Sequence, residues 1–334
     1  MFSVGITPWH GLGTVLATPP KTTAEALQLS GLDWNVSTEQ LHHDLRLAGD
    51  EGMMRVAVPA KAVIRDDTRT MLGVVGARWM PVQNVDAFRW FDRWVDTGKV
   101  EIETAGSLFG GRKVWILARI VSDPIVIGPD DEIRKYVLLA HGHDGDLAIR
   151  VGTTLVRVVC NNTMSAAVTT GDSAGSLFRV THTSGALARL DDAANQIEMI
   201  DARLSAAGEA YRELSRHGVT GGLQTIVDYA SAVYGQTEEE IRKGRRLPLI
   251  EEKFTSGRGQ DLKGAKGTWF GLLNAITEIE THGRTGNANE GRAIRNMWGA
   301  GATILQRALD VALASVRGIL VPMRATDTDG SADG

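Results

Sequence analysis

The sequence predicts an α+β protein: an antiparallel sheet of hairpins with a crossing helix, followed by a helical C-terminal half. Three observations carry this expectation. Residues 53–160 are dominated by short β-branched and apolar runs separated by turn residues. A single amphipathic segment at 85–97 interrupts them. From Gly185 onward, apolar residues recur at helical spacing.

Taken in order, residues 1–45 form a loop-rich N-terminal segment. It contains Trp9, His10 and the Pro19, Pro20 pair, a short helix at 23–29 and a short alternating strand at 32–36. Residues 46–184 are the antiparallel α+β core. Strands are expected at 55–59 and 62–65, with a turn at Asp66 and Asp67 and a further strand at 72–75. The helix at 85–97 places Phe88, Phe91 and Trp94 on one side and Arg89, Asp92 and Arg93 on the other, with Asn84 or Asp86 as its cap. Two hairpins follow: 100–108 with 113–121, and 136–141 with 147–151, the second closed by the Asp144, Gly145 turn signal. The stretch from Gly152 continues as a strand around Arg157. It then turns into a helix, which Asn161, Asn162 and Thr163 are placed to cap.

Residues 185–318 read as the helical region. One long helix covers 186–217, then shorter ones cover 223–234 and 237–243, the latter with Thr237 and Glu240 spaced as a capping box. A glycine-rich basic stretch at 242–267 is expected to be mobile, and helices at 268–282 and 290–316 close the fold. The tail, 319–334, is expected to be disordered.

Composition narrows the function classes. The chain has 36 Lys and Arg against 40 Asp and Glu, a formal charge of −4, which by itself does not advertise nucleic-acid binding. The distribution is more telling: residues 242–266 carry eight basic side chains against three acids. Cys160 is the only cysteine, so an intrachain disulfide and a multi-cysteine metal site are excluded. No apolar run of about 18 residues and no signal-peptide pattern occurs, so a cytoplasmic protein without a membrane span is expected.

No nucleophile elbow, phosphate loop, dinucleotide fingerprint or zinc-hydrolase motif is present, and no cofactor is expected. Arg157 is unusual, because a guanidinium within an apolar strand must reach solvent, pair with an acid or face an anionic ligand. His141, His143 and Asp144 are weak metal-ligand candidates, with no distant fourth ligand evident. Asn274, Glu278 and His282 share one face of the 268–282 helix and form a possible polar site, although helix surfaces carry such columns routinely.

Several strings occur together and in order: Thr7-Pro-Trp-His-Gly-Leu-Gly13, Leu72-Gly-Val-Val-Gly76 with Pro81-Val-Gln-Asn84, Glu103-Thr-Ala-Gly-Ser-Leu108, Val156-Arg-Val-Val-Cys-Asn-Asn-Thr163, and Gly267-Thr-Trp269 with Asn274 and Glu278. By these the chain resembles the phage/plasmid-like protein family, a domain of unknown function found in bacteriophages and mobile elements. The resemblance spans residues 7–316. Its layout is more distantly similar to that of phage single-strand annealing proteins of the RecT and Redβ kind.

The resemblance implies a phage or mobile-element protein of the host cytoplasm. With the basic stripe, it leads to the expectation of a non-catalytic, oligomeric protein that binds single-stranded DNA and promotes annealing and recombination. The expected phosphate contacts are Arg112, Lys113, Arg157, Arg245, Arg246, Arg258, Lys263 and Lys266. A phage exonuclease or single-strand-binding protein is the expected partner. The alternative is a host-interaction factor, or a small hydrolase acting at Asn274, Glu278 and His282.

Overall fold

Alternating apolar residues in the middle of the chain build its main sheet. In the computed structural model, which describes residues 1–5, 13–46, 52–159, 162–164, 176–194, 197–282 and 300–319, the chain forms two units. The first comprises Met1–Asp123, Lys135–Thr153 and Ser176–Asp201; the second comprises Pro124–Arg134, Thr154–Gly175 and Ala202–Gly334. Each unit is assembled from separated segments of the chain. The expected separate N-terminal segment belongs to the first unit.

In the first unit, β1 (Phe2–Val4) and β2 (Thr14–Leu16) pair in parallel, and β1 joins β6 (Val100–Leu108). β6 and β7 (Lys113–Ile120) form the first expected hairpin, closed by a 3₁₀ turn at Phe109–Gly111. β7 pairs with β9 (Asp131–Gly142), and β10 (Ile149–Arg157) follows, so the second expected hairpin is also present, with longer strands. β12 (Ser176–Val180) pairs with β10.

The helix expected at 85–97 is instead three short pieces, α2 (Asn84–Phe88), a 3₁₀ turn (Arg89–Phe91) and α3 (Asp92–Asp96). With α1 (Thr23–Ser30), these pieces contribute Ala26, Leu27, Phe88, Phe91 and Trp94 to the core. Neither Asn84 nor Asp86 caps the segment. Gln83 holds the cap position, and the Asn84 amide donates to the carbonyls of Leu32 (2.9 Å) and Trp34 (3.4 Å).

The first unit also holds a separate three-stranded sheet, in the order β3 (Val36–Arg46), β4 (Met53–Arg65), β5 (Met71–Gly76). The two strands expected at 55–59 and 62–65 are thus one, and residues 32–35 precede β3 rather than forming a strand. Pro59 is tolerated inside β4 because the β5 ladder stops at Ala60 and the β3 ladder bulges between Gln40 and His42. There the Gln40 amide donates to the carbonyls of Leu41 (3.0 Å), Val58 (2.5 Å) and Ala60 (3.1 Å).

The second unit is mainly helical. It contains α5 (Ile197–Arg216, from Ala202 on), α6 (Gly222–Tyr234), α7 (Glu238–Lys243), α8 (Arg246–Ser256), α9 (Trp269–His282) and α10 (Ala300–Val316). Over the helix expected at 186–217 the described residues form α4 (Ala186–Ala194), in the first unit, and α5; residues 195–196 lie outside the described residues. The capping box at Thr237 and Glu240 is formed as expected.

α9 is the hub of the second unit. Every residue from Phe270 to Thr281 is buried, which a helix achieves only when neighbours cover it all round. Phe270 meets Tyr211 of α5 edge-on, with ring centroids 6.1 Å apart, and the Tyr229 hydroxyl of α6 donates to the Ala308 carbonyl of α10. β8 (Ile125–Gly128) pairs with the start of β9, and β11 (Asn162–Met164) with the end of β10. Asn162 and Thr163 therefore lie in a strand that pairs with Leu155, Val156 and Arg157, and the helix expected after them falls outside the described residues.

Residues 6–12, Cys160, Asn161, the start of the helix expected at 290–316 and the tail after 319 lie outside the described residues. Among the described residues no helix is long and apolar enough to cross a membrane.

Candidate nucleic-acid interface

The basic stretch at 242–267 holds the end of α7, the helix α8 and a hydrogen-bonded strap. Leu247 and Ile250, one turn apart, are buried and make α8 a helix that docks by one face, with Pro248 in its first turn, where a missing N–H is harmless. The strap that follows, residues 257–268, is pinned along its backbone. Glu278 Oε2 accepts from the Arg258 N–H (3.1 Å), the Gln260 amide donates to the Gly271 carbonyl (2.8 Å), and the Thr268 hydroxyl donates to the Gly264 carbonyl (2.8 Å).

Arg157 supplies the remaining pins. Its guanidinium is 0% exposed and forms a fork with Asp131, also 0% exposed, through Nε to Oδ1 and Nη2 to Oδ2, each 2.7 Å. Nη2 also donates to the Gly259 carbonyl (2.9 Å), Nη1 approaches the Arg258 carbonyl (3.5 Å), and the group lies 5.0 Å from the centroid of Phe270. A side chain so enclosed has no face left for a phosphate, so Arg157 is a structural residue rather than the expected contact. Gly259 completes the fit. Its φ is +68°, and a Cβ there would lie 2.6 Å from Val159 Cγ1 and 3.2 Å from both Arg157 Nη atoms.

The strap consequently holds its backbone inward and turns Arg258, Lys263 and Lys266 outward, all exposed, with Arg245 exposed at the α7–α8 junction. Among the described residues none of these four has an ion-pair partner. Their neighbours Arg242 and Lys243 are paired with Glu238 and Glu239. Arg246 differs from expectation: it lies 4.5 Å over the Tyr234 ring and donates to Gln236 (3.0 Å), so its charge is engaged within the fold. In the first unit, Arg112 is exposed, but Lys113 is held by Asp144 at 2.6 Å and by Asp146 at 3.7 Å.

The Asn274, Glu278 and His282 column does not form a solvent-facing acid/base site. Asn274 is 1% exposed and donates to the Phe270 carbonyl. Glu278 is 6% exposed and is committed to Lys253 (3.3 Å) and to the strap. Burial works against the Lys253 charge, but Glu252 and Glu278 more than offset it and hold the ammonium pKa above its usual value.

His141 and His143 sit in the core of the first unit, joined by His182, which lies about 40 residues further along the chain with no motif linking it to them. The His141 and His143 rings are 4.7 Å apart, and His141 is 5.7 Å from His182. Because the Asn84 amide nitrogen serves two carbonyls, its oxygen faces His143 Nε2 (2.9 Å), which therefore carries the proton. Asp144, engaged by Lys113, does not complete a ligand set, and no group of three or more such side chains among the described residues is placed to hold a metal ion.

Burial, reinforced by the neighbouring imidazoles, drives the His141 pKa well down, and burial with His182 brings His143 to about 3. Burial also lowers His182, to about 4, with the backbone at Leu147 and Met80 and the Asp144 carboxylate opposing it. The cluster is neutral packing material. Gly73 lets the turn after β9 seat there, since a Cβ on it would come within 2.5 Å of Asp144 Cα.

Residues 71–311 match the model of the family described as Domain of unknown function (DUF932). The chain belongs to this family. The matched region of this DUF932 member includes the β9–β10 turn, Arg157 with Asp131, and the whole strap. No curated protein matches the chain. No solved structure matches it either.

Proposed function

We propose that this protein binds single-stranded DNA through the strap and the α7–α8 junction. In this reading it promotes strand annealing and recombination as a homo-oligomer, without a catalytic residue. The observation that carries the reading is the set of exposed cations Arg245, Arg258, Lys263 and Lys266, which have no ion-pair partner among the described residues; the last three ride on the pinned backbone of the strap. Unpaired cations on a rigid support meet phosphates at little entropic cost, and neutralising phosphates releases counterions. Of the three residues of the hydrolase alternative, Asn274 and Glu278 are buried and His282 is half-buried, so the exposed cations favour the nucleic-acid reading.

The setting that goes with this function is a bacteriophage or mobile element acting in the bacterial cytoplasm. A phage exonuclease or single-strand-binding protein would be its companion.

Fluorescence anisotropy with a labelled oligothymidylate, titrated at increasing salt, tests the reading. Four phosphate contacts predict a log–log salt slope of about −3, at about −0.7 per contact on single strands. Arg258→Gln with Lys263→Gln should flatten the slope and weaken binding. No binding at low salt overturns the proposal.

A further inference from the structure

Across β10 and β12, in the first unit, Arg150 is the direct partner of Arg179. Side chains directly opposite on antiparallel strands share a face with their Cβ atoms about 5 Å apart, and like charges placed so are destabilising. Their neighbours define the two faces. Ile149, Val151 and Val180 are buried on one side, so the two guanidiniums share the other, with Arg179 exposed and Arg150 half-buried.

Neither arginine has an ion pair among the described residues, in contrast to Arg119, which Glu101 and Glu103 neutralise on the same sheet. Arg150 Nε is buried and has no hydrogen-bond partner among the described residues. Burial and the Arg179 charge both hold the Arg150 pKa below its usual value, and no carboxylate among the described residues counters them. The ladder is also bulged between Val151 and Gly152, immediately beside the pair, the kind of irregularity that re-aims side chains at binding sites.

We propose that Arg150 and Arg179 form a phosphate clamp that takes one backbone phosphate of a bound nucleic-acid strand. A phosphate between the guanidiniums would relieve their repulsion, satisfy Arg150 Nε and accept planar, paired N–H bonds of the kind arginine makes best. The identity of the phosphate's carrier rests on the nucleic-acid reading above; the anion site itself does not.

The test uses the full chain, with Arg179→Gln and Arg150→Gln as variants and Arg258→Gln with Lys263→Gln for comparison. Either clamp variant should weaken oligothymidylate binding by about fivefold and reduce the salt slope by about 0.7, one contact's worth. Inorganic phosphate at millimolar concentration should raise the unfolding temperature of the wild type and not that of Arg179→Gln. The clamp variants should unfold no earlier than wild type without ligand, since each removes a like-charge contact.

If the clamp variants bind the oligonucleotide like wild type while the strap variant is weakened, the clamp proposal falls and the nucleic-acid reading stands. If the wild type binds no oligonucleotide, that reading falls with the assignment of the carrier. In that case, phosphate stabilisation that depends on Arg179 upholds the anion site, and its absence overturns it.

Discussion

Arg157 illustrates how far one residue can be understood from sequence. The strand pattern marks it as exceptional and leaves three outcomes open; which acid answers it is decided by Asp131, 26 positions earlier and in a different strand. Breaking one partner of such a pair strands a buried charge. Arg157→Met is therefore expected to cost about 3–5 kcal/mol in denaturant unfolding, whereas Arg157→Met with Asp131→Leu should recover much of that loss. Undiminished stability of the single variant would contradict the structural role. The buried imidazoles give a second expectation at this scale. Their pKa values in the fold lie below the ordinary 6.5, so the unfolded chain takes up protons first as the pH falls. Their contribution is complete above about pH 6.5 and is lost progressively below it. His141→Leu should accordingly lose less unfolding temperature than wild type between pH 7 and pH 5, as measured by circular dichroism.

At the scale of elements, legibility depended on how local the deciding physics is. The β6–β7 and β9–β10 hairpins and the α7 capping box are set by neighbours a few residues apart, and all were readable. The short β8 and β11 exist because longer strands offer them an open edge, so Asn162 and Thr163, good caps in isolation, became ladder residues. The glycines of the basic stretch mask the helix α8 within it, although Leu247 and Ile250 stand at helical spacing beside them. Of the site, the exposed cations of the strap were legible as a basic cluster, whereas the engagement of Lys113 and Arg246 depended on partners fixed by the fold. Gly259 connects these levels. Gly259→Ala strains a left-handed backbone position and drives a methyl towards Val159 and Arg157, so a loss of roughly 1–3 kcal/mol is expected, together with weaker oligonucleotide binding as the strap shifts. Wild-type stability in that variant would mean that the strap is not held there.

For the whole molecule, the formal charge of −4 and the local cationic strap are compatible, because acids elsewhere set the total. An overall negative chain repels a polyanion except where its cations are clustered, which makes affinity depend steeply on ionic strength. Strand annealing requires several copies to hold two strands together. Native mass measurement should therefore give assemblies larger than a dimer, at least once oligothymidylate is added; a monomer under both conditions would leave DNA binding in place but remove annealing.

The three-stranded sheet has a consequence at this scale too. From Met53 to Val58, β4 runs beyond β5 and leaves one edge of its backbone unladdered. Such an edge is a template on which copies of a chain can stack into fibrils, a hazard that grows with the local crowding an oligomer creates. Pro59 stands where that edge begins and has no N–H to extend the β5 ladder past Ala60. A residue that looks like an interruption in the strand thus marks where the β5 ladder ends and the open edge begins.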